Sequence, residues 1–234
     1  MFGFDDKKSP ITVISLGGSM VAPELPNGAL VKQFVDAITA RTKEGRHFVI
    51  VVGGGRTARN YYEALKATGN QKSEDGDWIG IYATHLNAEL VRLTFGALAH
   101  SEVNKDPTKK MDWKTPVLVA GGWMPGRSTD YDAILLGKMY GAKNVVNISN
   151  IDYVYTADPK KDPNAKPIEK ITWVQLRAML PHEWSPSISA PFDPIAAKEA
   201  EALKMSVSIV NGADLQNALL AVDGKEFKGT IIAM

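Results

Sequence analysis

Cysteine is missing from all 234 positions of this chain. Disulfides and thiolate-ligated metal sites are thereby excluded, and the composition is compatible with a cytoplasmic protein. No apolar run approaches the ~20 residues of a membrane span. The opening MFGFDDKKSP has no signal-peptide-like apolar stretch. Histidine is scarce. His47, His85, His100 and His182 form no HExxH or similar ligand pair, so a resident metal site is not expected. A dominant charge is also lacking: 27 Lys and Arg stand against 26 Asp and Glu, a formal net of +1. That balance implies neither nucleic acid nor a membrane as partner. No sequence repeat, low-complexity tract or separating linker is found, so residues 1–234 are read as a single domain.

What is present is an alternation of short apolar runs with amphipathic stretches, the pattern of a sheet covered by helices. ITVISL (11–16), HFVIVV (47–52), VLVAGG (117–122), NVVNIS (144–149), SVSIV (206–210) and the closing GTIIA read as strands. Between them, Leu30, Val31, Phe34, Val35 and Ile38 recur at helical spacing, and Glu44-Gly45 ends that helix. A second helix is expected from about Thr57, with Tyr61, Tyr62 and Leu65 on its inner side. Others are expected over 78–99, 130–140, 172–180 and 194–204. Residues 69–77 read as a polar loop, and 101–116, charged and holding two prolines, as surface.

ISLGGSM, VVGGGRTAR and LVAGGWMPGRST share one plan, an apolar strand ending in a glycine pair. Ligands of open α/β sheets bind outside the carboxyl ends of the strands. Glycine there lets main-chain amides approach an anion with no Cβ in the way, and a helix starting just after adds its positive end. Each loop alone is also explained by turn geometry; three together point to phosphate. Arg56 and Arg59 follow the second tip, and arginine grips phosphate oxygens in a two-pronged fashion. The alternative for both is a solvated helix surface.

A dinucleotide site is the rival. Gly53, Gly55 and Ala58 fit G-x-G-x-x-A, but such a site wants an acid at the end of the next strand. Glu74, Asp75 and Asp77 fall in a polar loop instead. No P-loop is present. Asp130, after Ser128-Thr129, reads either as a helix N-cap or as a group that orients cations or Mg²⁺-bound water near a γ-phosphate. The loop lysines Lys160, Lys161 and Lys166 read as solvated.

Taken together, GGSMVAP (17–23), VVGGGRTARNY (51–61), DWIGIYATHLNAEL (77–90), GGWMPGRSTD (121–130), NISNIDYVYTADPKKDP (147–163) and FDPIAAK (192–198) resemble the amino-acid-kinase superfamily, and within it the archaeal-type UMP kinases. The resemblance spans nearly the whole chain. It implies a three-layer α/β/α sandwich around a mostly parallel sheet of about eight strands. It also implies transfer of the γ-phosphoryl of ATP, with Mg²⁺, to UMP. Residues 1–128 would hold UMP and residues 129–234 ATP, in a homo-oligomer, a hexamer built from dimers.

By the same resemblance, Gly18, Ser19, Gly55, Arg59, Ser149, Asn150, Tyr155 and Asp158 surround ATP. Gly54, Asp77 and the loop Trp123, Met124, Pro125, Gly126, Arg127, Ser128 and Thr129 surround UMP. Arg59 and Asp130 would serve the transfer itself. The chain departs from the pattern in three places, one of them the charged stretch 101–116, which is shorter than its usual counterpart. Ser15 stands where many members have lysine, with Lys198 a possible substitute or a helix-surface residue. Tyr153 stands where glycine is usual. These departures leave two alternatives: a sister kinase with another phosphate or carboxylate acceptor, or a non-catalytic, ATP-binding store of oxyanions such as molybdate.

Overall fold

The computed structural model describes residues 11–69, 72, 74–180 and 190–234. His182 and parts of the 69–77 loop fall outside them. Apolar runs at the expected places form β1 (Ile11–Leu16), β2 (His47–Val52), β3 (Val117–Ala120), β4 (Asn144–Ser149), β8 (Ser206–Asn211) and β9 (Thr230–Ala233). Three short strands were not read from the sequence: β5 (Val154–Tyr155), β6 (Pro167–Ile168) and β7 (Lys170–Thr172). The central sheet has seven strands rather than about eight, in the order β3-β2-β1-β4-β8-β9-β7, and β5 pairs with β6 in a separate ladder. All neighbours in the central sheet run parallel except β8 and β9.

The helices are α1 (Gly28–Thr42), α2 (Gly55–Ala67), α3 (Asp75–Phe95), α4 (Thr129–Tyr140), α5 (Trp173–Met179), α6 (Pro194–Ala202) and α7 (Leu215–Val222). Their starts carry side-chain caps where the sequence supplies them. Asn27 caps α1, Asp193 caps α6 with proline at the first turn, and Thr172 with Gln175 closes a capping box on α5.

Because strand side chains alternate, one face of the sheet presents Ile14, Leu16, Ile50 and Val119 to α1, α3 and α7. The other presents Val13, Val49, Val51 and Leu118 to α4, α5 and α6. The result is the three-layer sandwich. Two expectations fail. α2 buries no side chain, Tyr61 is exposed, and Tyr62 and Leu65 are only half-buried, because α2 lies on α3 and not on the sheet. The charged stretch 101–116 is not all surface: Val103 and Asn104 are buried, and Asn104 bridges to Ala120 beside β3.

The chain leaves β1 for β2 and β3 on one side and returns to β4 on the other. The strand order therefore turns at β1 and β4, whose carboxyl ends form the crevice where ligands of such sheets bind.

Candidate active site

The first two glycine tips are locked together. Gly17 N donates to Ile148 O at 2.8 Å, tying the turn after β1 to β4, and Gly53 N donates to Leu16 O at 2.9 Å. A Cβ on Gly18 would lie 1.9 Å from Gly55 N, one on Gly53 2.6 Å from Gly18 N, and one on Gly55 2.3 Å from Gly18 O. Gly55 also has φ +61°. These glycines are thus required by the close approach of two backbones, whatever else they do. The buried Asn87 of α3 donates to Gly53 O at 2.9 Å and Gly54 O at 3.0 Å, holding the loop by its carbonyls. The amides of the two tips are unpaired: among the described residues nothing accepts from Gly18, Gly54 or Gly55, and α2 begins without a side-chain cap. Uncapped amides at the start of a 13-residue helix are an anion site in waiting.

The third tip is different, which corrects the expectation of three equivalent loops. Gly121 N is taken by Asn104 O at 2.9 Å and Gly122 N by Thr84 Oγ1 at 2.7 Å. His85 Nε2 donates to Gly122 O at 2.7 Å. Gly122 O can only accept, so Nε2 carries a proton, and burial pushes the His85 pKa down. This tip is sealed by protein and serves as the fixed root of the loop that follows.

In that loop, Asp77 Oδ2 of α3 accepts from Gly126 N at 2.8 Å, and Gly126 takes φ +75°. Desolvation raises the Asp77 pKa, opposed by the Gly126 amide. The Arg127 guanidinium lies 5.1 Å over the Tyr131 ring. Asp77 and Trp123–Thr129, far apart in sequence, therefore meet in one place.

Asp130 is not the N-cap. Ser128 Oγ fills that role, accepting from Tyr131 N at 3.2 Å. The Asp130 carboxyl instead turns onto the sheet. Its Oδ1 accepts from Ser15 Oγ at 3.0 Å and from Asn147 Nδ2 at 2.8 Å. Ser15 and Asn147 are register partners on β1 and β4. The serine in the lysine position is thus a ligand of Asp130. Burial pushes the Asp130 pKa up to about 6, relieved by Ser15, while the nearby Asp193 charge pushes the same way as burial. Asp132, fully buried two residues on, is raised further by the same cause.

On the opposite side, Tyr155 meets Tyr153 edge-on at 6.2 Å between ring centroids. Both line a cleft of about 490 Å³ with Asp152, Asn211, Asn217 and Lys228. Ser149 is half-buried at the end of β4 and Ser19 half-buried in the turn after β1; Asn150 is exposed. Asp158 is exposed and ties its own turn, accepting from Lys160 N at 3.0 Å, rather than facing the cleft. Arg59 is exposed in the second turn of α2 with no partner among the described residues, whereas Arg56 pairs with Glu24 at 3.6 Å. Lys198 is exposed on α6, and the residue at the start of that helix whose charge acts on Asp130 is Asp193.

Four buried side-chain polar atoms lack a partner among the described residues: Arg127 Nε, Asp132 Oδ1, Ser149 Oγ and Asp193 Oδ2. All belong to this crevice or its walls. Unpaired buried polar atoms are rare, and three of these four belong to Arg127, Asp132 and Asp193, whose charges act on one another around Asp130. Asn87, Thr84, His85 and Asp132 were not singled out from the sequence. Their only local signal was polarity at positions where a core-facing helix should be apolar.

Residues 10–211 match the Amino acid kinase family. The chain is 34% identical over 227 residues to a uridylate kinase of Hyperthermus butylicus, covering 96% of this chain and 98% of the relative. It is 34% identical over 226 residues to that of Thermococcus kodakarensis, covering 94% and 98%. The crystal structure of uridylate kinase from Archaeoglobus fulgidus superimposes with a TM-score of 0.82 at 31% identity, over 96% of this chain and 100% of that one.

Proposed function

The chain belongs to the amino acid kinase family, and on that premise we propose that it transfers the γ-phosphoryl group of ATP to UMP, giving UDP and ADP. The observation that carries the proposal is the meeting of two open-amide glycine tips with the sheet-bound Asp130 at the turn of the strand order. Phosphoryl transfer asks little covalent help of a protein. It asks for aligned partners and positive charge on the equatorial oxygens. The amides of Gly18, Gly54 and Gly55 and the start of α2 supply fixed positive charge, and Arg59 stands one turn into the same helix. The loop Trp123–Thr129, held by Asp77, takes UMP. The tyrosine cleft and Ser149 take the ATP side, so that residues 1–128 serve the acceptor and 129–234 the donor.

Among the described residues no three His, Asp or Glu side chains are arranged as a metal cage. Mg²⁺ therefore fits as the companion of the triphosphate, most of its oxygen ligands coming from ATP and water. Asp130 is the carboxylate placed to orient that assembly. Both substrates are cytoplasmic metabolites, which supports that location. Self-association is supported by α3, where Trp78, Tyr82, Leu86 and Leu93 form one exposed apolar stripe. A second copy applied about a twofold axis covers such a stripe with its own equivalent.

The test is ADP release from Mg-ATP with UMP, CMP and AMP offered in turn. UMP is expected to be preferred; ADP release independent of UMP overturns the proposal.

A further inference from the structure

Asp132 has no part in the chemistry described so far, yet it is the most deeply buried acid of α4, with no exposed surface. One oxygen, Oδ2, accepts from Trp123 N at 3.2 Å. The other, Oδ1, has no partner among the described residues. A few residues back along the same loop, Arg127 has the mirror-image defect. Its NH1 donates to Gly126 O at 2.8 Å and its plane lies over Tyr131, but Nε is buried and donates to nothing. The Arg127 guanidinium lies over the ring of Tyr131, the residue next to Asp132 in the chain, and its charge favours the ionised carboxyl. A buried donor and a buried acceptor that both lack partners each cost free energy, and a movement that joins them removes both penalties.

We propose that Arg127 and Asp132 are the two halves of a latch on the acceptor loop, closed when UMP binds by donation from Arg127 Nε to Asp132 Oδ1. The latch joins the loop to the first turns of α4, beside Asp130. Trp123 is already held by the same carboxyl and Gly126 by Asp77, so the pair supplies the third fixed point of a loop that must close around the nucleotide. Asp132 is a positioning residue: it acts through Arg127 and touches no reacting atom. Asp130 and Asp193 are the other charged groups facing it, and both repel it, which leaves Arg127 as its only favourable partner among the charges acting on it. The inference rests on the reading of this loop as the UMP loop.

Two variants and one spectroscopic measurement test it. Arg127→Lys keeps the charge and loses Nε; Asp132→Asn keeps the shape, but with its single oxygen held by Trp123 N it turns an NH2 group rather than an acceptor toward Arg127. Each is expected to raise KM for UMP at least tenfold, with kcat changed less than threefold and KM for ATP within twofold. The double variant is expected to be no worse than the worse single one, as for two halves of one contact. Multiplying penalties, or an unchanged KM for UMP, overturns the latch. In the wild-type protein, the Arg127 Nε–H NMR signal is expected to shift and gain exchange protection on UMP addition. This readout does not depend on how the variants fold. Full protection before UMP is added means that a buried water already satisfies the pair, and it too overturns the latch. An inactive wild type counts against the kinase reading; an active wild type with additive variants counts against the latch alone.

Discussion

At the start of α4, Asp130 binds its proton more tightly in the folded chain than an exposed aspartate does, with a pKa of about 6. The sign of the consequence is definite. The favourable contribution of the protonated form is present below the ordinary carboxyl pKa and is lost as pH rises through about 6. Two pKa units correspond to ~3 kcal/mol as an upper scale. Asp130→Asn keeps an oxygen that accepts from Ser15 and Asn147, so thermal melts should show a higher Tm than wild type at pH 7.5. That gain should shrink to nothing near pH 4. The same variant should lose at least about two orders of magnitude in kcat/KM, the scale of a missing transition-state group. Wild-type kcat/KM should fall below pH 6 if the ionised carboxyl is the working form. The glycines give a second contrast. Gly18→Ala forces a Cβ to within 1.9 Å of Gly55 N, a clash with backbone that only separation of the two tips relieves. Gly80→Ala, inside α3, meets nothing within 4 Å. Urea denaturation should show the first strongly destabilised and the second stabilised by ~0.5–1 kcal/mol from helix propensity.

The helices α2 and α3 show where periodicity stops being informative. A helical repeat of apolar residues marks a face, not what covers it. Reading Tyr61 as inward failed because α2 packs on α3 instead of on the sheet. In α3, one face (Ile81, Ala88, Val91 and Phe95) is buried against the core. A second face, Trp78, Tyr82, Leu86 and Leu93, is exposed over a length of roughly 22 Å. Unlike scattered surface leucines, a continuous stripe marks a contact surface. Light scattering after gel filtration should report a multimer for wild type. Leu86→Glu with Leu93→Glu should reduce the mass without loss of helical circular dichroism; an unchanged mass would place the contact elsewhere. Short strands escaped for a related reason. β7 has only three residues, Lys170–Thr172, and its place in the sheet comes from pairing with β9, not from local pattern.

The two halves of the molecule meet at the turn of the strand order, and ligand-induced stabilisation can test each separately. A ligand at 100 times its Kd stabilises the folded state by ~2.7 kcal/mol. UMP and Mg-ATP should each raise the Tm of wild type. Asp77→Ala, which releases Gly126 and the acceptor loop, should abolish the rise with UMP and keep the rise with Mg-ATP; equal loss of both would sink the assignment of halves. The main strands, the glycine-ended loops and the family motifs were legible along the chain, because alternation, glycine runs and motif spacing are local properties. The partners of those residues were not. Ser15, Asp130 and Asn147 converge from three separate segments. The third tip is sealed by Asn104 and Thr84, and Arg127 Nε and Asp132 Oδ1 are buried without a partner among the described residues, which no local pattern announces. Local chemistry settles which backbone can bend and which side chains carry charge. Which of those groups are neutralised, and which are left open for a nucleotide, depends on neighbours that only the folded sheet brings within reach.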